Sequence, residues 1–373
     1  MKKRVCIIHK VTRLDPRSFY KQARSLAKYG FETTLLGIYT KNQVIDGITL
    51  IGFKAPRTRL IRFFITNLHI FVAALKQRAH VYHFHDLDFI LWAVLLKALT
   101  NSKVIYDVHE SYPEYMLLKT YIPGILRKHL SSLVYILEHV SVRFFDAVVP
   151  NDNFVAEKFS HKNKVAIFNF PTIDFFRGKK YLSFNRRQYD LFYHGSLPKY
   201  HFETMLKIAE RLNSQNIKNR WGIIMDRFSP ESWAKQEVRK RNLQENFVFL
   251  PYADYLEVAD YLNMSKIGII PLPPFKKFQE NIPLKIFEYM GMGMPVVLSD
   301  LPPTRQFING RNCAIAVEPN DVNRYVEAIK LLLDNPIKSI KMGQTGQKLV
   351  FDHFNWNQEE KKLINLYQQL TCN

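Results

Sequence analysis

The chain of 373 residues holds three cysteines, Cys6, Cys313 and Cys372. They are far apart and lack metal-ligand spacing, which excludes a disulfide scaffold and a cysteine-bound metal. Cys6 and Cys313 sit in strand-like apolar runs, as buried inert thiols do. Long apolar runs are missing as well. No stretch reaches the ~18 residues that span a bilayer, and the apolar part of the basic start is only Val5 to Ile8, too short for a secretory leader. The loop after the first candidate strand, Lys10 to Arg17, has no glycine, which counts against a dinucleotide fingerprint. Acidic residues are scarce too. Lys and Arg number 53 against 33 Asp and Glu, a net charge of +20. The excess is uneven: residues 1–180 hold 28 Lys/Arg against 13 Asp/Glu, residues 181–373 hold 25 against 20. Such a basic half calls for an anionic partner: a membrane surface, a phosphorylated substrate or nucleic acid.

Apolar and aromatic residues are plentiful, at 47% and 14%. That supports large cores and excludes disorder. Strand candidates in the first half are Lys3–His9, Glu32–Gly37, Val81–His85, Lys103–His109, Ala147–Pro150 and Lys164–Asn169. Helix-length stretches such as Ser18–Tyr29, Arg62–Arg78 and Leu130–Phe144 separate most of them. In the second half the strands fall at Tyr189–Gly195, Trp221–Met225, Asn246–Leu250, Lys266–Leu272, Pro295–Ser299 and Cys313–Val317. Helices fall near Phe202–Asn213, Pro230–Arg241, Tyr255–Met264 and Val322–Asn335. Continuous apolar strands alternating with helices predict two doubly wound, Rossmann-like parallel sheets with a cleft between them. No sequence repeat accompanies the two halves.

Residues 280 to 299, ENIPLKIFEYMGMGMPVVLS, carry the most information. Glu280 and Glu288 stand eight apart with Pro283 and Lys285 between. Pro283 pre-sets φ for a first helical turn. Ile286, Phe287, Tyr289 and Met290 are its expected buried side, Gly291 and Gly293 stop it, and a strand follows at once. A helix entering there offers free N–H groups to an anion. Lys285 adds a full positive charge, and Glu288 can accept hydrogen bonds from hydroxyls.

This segment resembles the E-x7-E signature of retaining, nucleotide-sugar-dependent glycosyltransferases of the GT-B fold, family four (group 1), in the branch with a Pro-x-Lys-x-x-Glu-Tyr-Met core. The resemblance implies an α/β GT-B fold, two Rossmann-like domains facing across a cleft. Its expected parts are an acceptor domain over 1–175, a nucleotide-sugar donor domain over 176–355, and a helix over 356–373 crossing back to the first. It implies that Glu280 lies by the donor sugar and Glu288 holds the ribose. The family's Gly-Arg-Leu-x-x-x-Lys becomes Gly195-Ser196-Leu197 with Lys199 and His201, so Gly195, Ser196, Lys199, His201 and Lys285 are the expected donor-diphosphate contacts. His109, ending the candidate strand Lys103–His109, matches the family's imidazole that faces the transferred sugar. Glu110 is a weaker acceptor-site candidate, and Arg17 and Arg227 are possible anion contacts. His83, His85, Asp86 and Asp88 look like a metal set, but the GT-B reading implies a site without metal and with no cofactor beyond a UDP- or GDP-sugar donor.

Basic residues border apolar ones at Arg57, Arg59 and Arg62 before Phe63–Ile65, and at Met116–Lys119 and Ile122–Lys128. That pattern suits an anionic membrane surface. No nucleic-acid motif appears. The expected partners are a nucleotide-sugar donor, a glycan or lipid-linked acceptor and a membrane, with the protein cytoplasmic and peripheral on the inner face. Oligomeric state is not legible. The alternatives are a nucleotide-sugar epimerase or other GT-B enzyme, and a basic binding module without catalysis.

Overall fold

The computed structural model describes residues 2–55, 58, 61–119, 122–226 and 231–372, with the side chain of Arg62 left aside. Arg57, Arg59 and Arg227, named above, lie outside the described residues. The chain divides into two compact units, Met1–Asn169 with Trp356–Asn373, and Phe170–Asn355.

Among the described residues the first unit contains seven strands: β1 Arg4–Ile8, β2 Glu32–Gly37, β3 Gln43–Ile45, β4 Ile48–Gly52, β5 Val81–Phe84, β6 Lys103–Val108 and β7 Ala147–Pro150. Their order in the sheet is β3-β4-β2-β1-β5-β6-β7, parallel throughout except for the β3–β4 hairpin. Each central strand alternates its side chains between two apolar layers, since successive residues point to opposite faces. Val5 and Ile7 join one core, Cys6 and Ile8 the other. Both layers are filled, which is why β1 and β5 read as unbroken apolar runs.

One layer is completed by the end of the chain. The helix Trp356–Thr371 places Trp356, Leu363, Ile364, Tyr367 and Leu370 in the core with Phe19 and Leu26. Trp356 donates from Nε1 to Ser25 Oγ at 2.8 Å, and Lys28 pairs with Glu360 at 2.9 Å. The opposite layer carries the helices Asn67–Gln77, Ile90–Leu99 and Gly124–Val142, packed in that order.

One sequence expectation fails here, and one hairpin was not foreseen. Lys164–Asn169 is not a strand: it makes one bridge, Lys164 to Val148, and then runs as loop. Val165 and Ile167 still donate to Val148 O at 3.1 Å and Pro150 O at 2.9 Å, but the pairing stops there, because Glu359 accepts the Phe168 N–H at 2.9 Å and Asn169 O accepts from Lys21 Nζ at 2.9 Å. The β3–β4 hairpin was not expected. Its turn is Asp46-Gly47, both with positive φ (53° and 75°), the left-handed pair that tight hairpins favour.

The second unit holds β8 Tyr189–Gly195, β9 Trp221–Met225, β10 Phe247–Leu250, β11 Ser265–Ile270, β12 Val296–Ser299 and β13 Ala314–Val317. The order is β10-β9-β8-β11-β12-β13, all parallel. Counted from β8, this is the doubly wound order 3-2-1-4-5-6. Its switch point lies where β8 neighbours β11, so ligands are expected beyond Gly195.

Candidate functional site

In the second unit, β8 delivers Gly195 with φ +102°, a conformation that side chains avoid. A Cβ there would lie 3.2 Å from Lys285 Cε and 3.4 Å from its Nζ. Glycine therefore lets the backbone and the lysine approach. Lys285 opens the helix Lys285–Gly291, whose Ile286, Phe287, Tyr289 and Met290 are fully buried, the side marked by the sequence pattern. Pro283 O accepts the Ile286 N–H at 3.1 Å, closing the first turn. That packing fixes the remaining side, with Lys285 and Glu288 one turn apart on it.

The Lys285 ammonium lies 5.0 Å from the centre of the Tyr193 ring. Burial lowers its pKa and nearby Lys277 adds to this, while the charges of Glu288 and Asp226 favour protonation. Glu288 Oε2 stands 3.1 Å from His194 Nε2, the residue before Gly195. Gly195, Lys285 and Glu288 are thus one cluster, with His194, which sequence reasoning did not single out, as its fourth member. Its position at the end of β8 was the available signal.

The other expected contacts are placed differently. His201 is buried, and its pKa is lowered to about 3 by burial and by the charges of Lys285 and Lys277. It is a neutral imidazole and supplies no charge. Its Nδ1 meets the Tyr193 hydroxyl at 3.3 Å, and its Nε2 has no partner among the described residues. Ser196 offers its carbonyl to the Tyr193 hydroxyl at 2.5 Å. The Lys199 ammonium lies over the Trp233 ring at 5.0 Å. Glu280 ends the short 3-10 turn Lys276–Gln279, half-buried.

In the first unit the neighbouring strands β1, β5 and β6 are each followed directly by a histidine, His9, His85 and His109. His85 Nδ1 and His109 Nε2 are 2.7 Å apart, and His9 stacks on His85 with centroids at 4.5 Å. Beneath them lies Asp107, fully buried in β6. It accepts from Arg17 Nε at 2.9 Å and Gln22 Nε2 at 2.5 Å, and lies 3.2 Å from His83 Nε2 and from His109 Nε2. Burial alone would raise its pKa. The Arg17 guanidinium and the surrounding imidazoles outweigh that and hold it well below the usual carboxylate range. His83 and His85 are pushed down by burial, and so is His9. His83 also meets the Tyr367 hydroxyl at 2.8 Å.

Arg17, expected as an anion contact, is instead buried in this network, donating also to Ile167 O at 2.9 Å. His109 is the half-exposed member of the histidine row. Sequence reasoning missed His9, Asp107 and Tyr367. An aspartate inside the apolar run Lys103–Val108 was the visible signal, because a buried charge needs partners.

The suspected set of His83, His85, Asp86 and Asp88 does not assemble. Asp86 accepts the Lys10 N–H at 2.6 Å, and Asp88 pairs with the Lys10 ammonium. The histidines turn to Asp107. Among the described residues, His9, His85 and His109 form one group whose ligand atoms lie within 4.8 Å of one another; His83, His85 and Asp107 form another. Arg17 beside Asp107 opposes a cation in the second.

A paired set of doubly wound units is the GT-B architecture. It matches sucrose-phosphate synthase from Thermosynechococcus elongatus with TM-score 0.77 and 14% identity, covering 100% of both chains. Anabaena HepE in complex with UDP and glucose gives TM-score 0.72 and 10% identity, covering 98% of this chain and 100% of that one. Residues 177–349, which lie within the second unit, match the model of the family described as glycosyl transferases group 1. The chain is also similar to the Escherichia coli UDP-Gal:alpha-D-GlcNAc-diphosphoundecaprenol alpha-1,3-galactosyltransferase. The two are 24% identical over 139 residues, 35% of this chain and 32% of that protein. The chain spans between 23% and 41% of the length of the curated relatives it matches.

Proposed function

We propose that the protein is a retaining glycosyltransferase. It moves a sugar from a UDP- or GDP-sugar to a glycan or lipid-linked acceptor, in surface polysaccharide or lipopolysaccharide synthesis. The observation that carries this is the cluster of Gly195, Lys285 and Glu288 at the switch point of the second unit, inside the matched family segment. Its chemistry suits a nucleotide diphosphate. The backbone at Gly195 can approach phosphate without a side chain in the way. Lys285, held next to it, stabilises the diphosphate that leaves, and a fixed cation of this kind does the work that a divalent ion does elsewhere. Glu288 accepts from a ribose diol. Glu280 is assigned to the sugar hydroxyls, and neutral His201 can present one nitrogen to a hydroxyl or phosphate oxygen. His109, the outermost histidine of its row, is the imidazole for the transferred sugar. No side chain is assigned as a nucleophile, and no metal or organic cofactor is called for.

The E. coli relative's name specifies a UDP-sugar donor and a lipid-diphosphate acceptor, and HepE was solved with UDP. Both support the substrate class. A lipid-linked acceptor would be met at the inner face of the cell membrane. A thermal-shift panel of nucleotide diphosphate sugars tests the donor. A true donor at 100 times its dissociation constant stabilises by about 2.7 kcal/mol. No shift with any UDP- or GDP-sugar overturns the reading. So does conversion of the sugar without acceptor, which marks an epimerase.

A further inference from the structure

The helix Gly124–Val142 is patterned the wrong way round for a helix on a soluble sheet. Only Glu138, Ser141 and Val142 of its nineteen residues are buried. Its outward side carries Ile125, Leu126, Leu133, Ile136 and Val140, and Phe144 follows just beyond its end. Ile125 is 78% exposed, Leu133 59%, Ile136 57% and Phe144 54%. With Leu130, also exposed, the residues from Leu126 onward recur at helical i+3 and i+4 spacing, so they form one stripe. A monomer in water places polar residues on such a face.

The stripe continues onto neighbours. Helix Ile90–Leu99 packs against Gly124–Val142 and exposes Leu91, Leu95 and Leu99, one residue per turn. Helix Asn67–Gln77 packs against Ile90–Leu99 and exposes Leu68 and Val72, with Phe63 and Phe64 in the turn before it. Three adjacent helices of one unit therefore share an apolar outer surface, the kind that marks an interaction site.

The charge around it has one sign. Between residues 61 and 145 no described Asp or Glu is exposed, whereas Lys76, Arg78, Lys128 and Arg143 are. A second copy of this surface would bring cations against cations. Anionic lipid supplies the opposite sign and an apolar layer for the stripe to enter. No described helix is long and apolar enough to cross a membrane, so the stripe must lie in the interface.

We propose that this three-helix surface of the first unit docks the protein on an anionic lipid bilayer, with Gly124–Val142 lying along the membrane plane. Leu133, Ile136 and Phe144 enter the acyl boundary, and Lys76, Lys128 and Arg143 meet the headgroups. Docking rests on this surface alone and is independent of any donor or acceptor.

Co-sedimentation of the full chain with phosphatidylcholine vesicles, with and without phosphatidylglycerol, tests it. Binding is expected only with phosphatidylglycerol, weakening as salt rises. The triple variant Leu133→Ser, Ile136→Ser, Phe144→Ser changes exposed positions only. It is expected to bind at least about tenfold more weakly, since each buried methylene contributes to membrane affinity. Lys128→Glu with Arg143→Glu should lose at least about tenfold as well. Circular dichroism of both variants should match the wild type. Equal binding to both vesicle types, unchanged binding by the triple variant, or no binding together with a dimer that the triple variant dissolves would each overturn the proposal, the last by assigning the surface to a second copy.

Discussion

Replacing Glu288 separates its assigned role from the rest of the second unit. The core of its helix is held by Ile286, Phe287, Tyr289 and Met290 on the other side, so Glu288→Ala opens no cavity. What it removes is a charged acceptor, whose hydrogen bonds contribute about 1.5–3 kcal/mol each. That corresponds to a rise of roughly 10- to 150-fold in the dissociation constant for UDP or GDP. Glu288 also raises the pKa of Lys285, whose burial lowers it. Without that carboxylate the lysine loses its proton at lower pH, and protonated lysine is the form that binds phosphate. The variant's deficit should therefore grow as pH rises from neutrality towards the ordinary lysine range. Glu288→Gln keeps an acceptor but not the charge, and should fall between. Isothermal titration at two pH values, with urea denaturation as a check on the fold, gives both quantities. An affinity for UDP and GDP equal to the wild type's would refute the ribose assignment. A deficit that shrinks with pH would refute the coupling to Lys285.

Asp107→Asn leaves the buried Arg17 guanidinium without its counter-charge and should destabilise the first unit by about 3–5 kcal/mol, read by urea denaturation; a cost near zero would mean that Arg17 and Asp107 do not depend on one another. Glu138 is pushed up to about 8 by burial, against the hydrogen bond from the Tyr106 hydroxyl at 2.7 Å. A raised folded pKa means stability present at acid pH and lost as pH rises from the unfolded value towards 8, so Glu138→Gln should gain roughly 2–4 kcal/mol relative to wild type across that window. Parallel pH profiles for the two proteins would contradict it. Sugar transfer should persist in excess EDTA, because Lys285 provides the fixed cation; loss of transfer that manganese restores would assign the histidine row a metal.

The parts of the fold readable from sequence are those with unbroken apolar runs. The two parallel sheets announce themselves because burial on both faces forces continuous Val, Ile and Phe. The helix Lys285–Gly291 was legible residue by residue, since Pro283, Lys285 and the glycines each have a local physical meaning. Lys164–Asn169 looks like a strand because Val165, Ile167 and Phe168 are apolar, but its hydrogen-bond partners come from distant residues that no local pattern reveals. The histidine row was half visible. His109 and His85 end obvious strands, whereas the charge that organises them, Asp107, is inside a strand and depends on Arg17, ninety positions earlier. Arg17 looked available for a ligand for the same reason: sequence gives its charge and not the partner that holds it. The outward apolar stripe of Gly124–Val142 is the converse case. Its period is plain in the sequence, but only the sheet decides which side faces inward.

The helix Trp356–Thr371 also sets the order in which the protein can be made. Its Trp356, Leu363 and Tyr367 fill a core whose other walls are built from residues near the amino terminus. On the ribosome, the whole of Phe170–Asn355 emerges before that helix does. At roughly 5–20 residues per second, the second unit has many seconds to fold while the first waits with that layer covered only in part, by the segment bearing Phe19 and Leu26. Leu35, Ile105 and Val149 face outward on that layer in the interval. The unit translated first is thus the last to close.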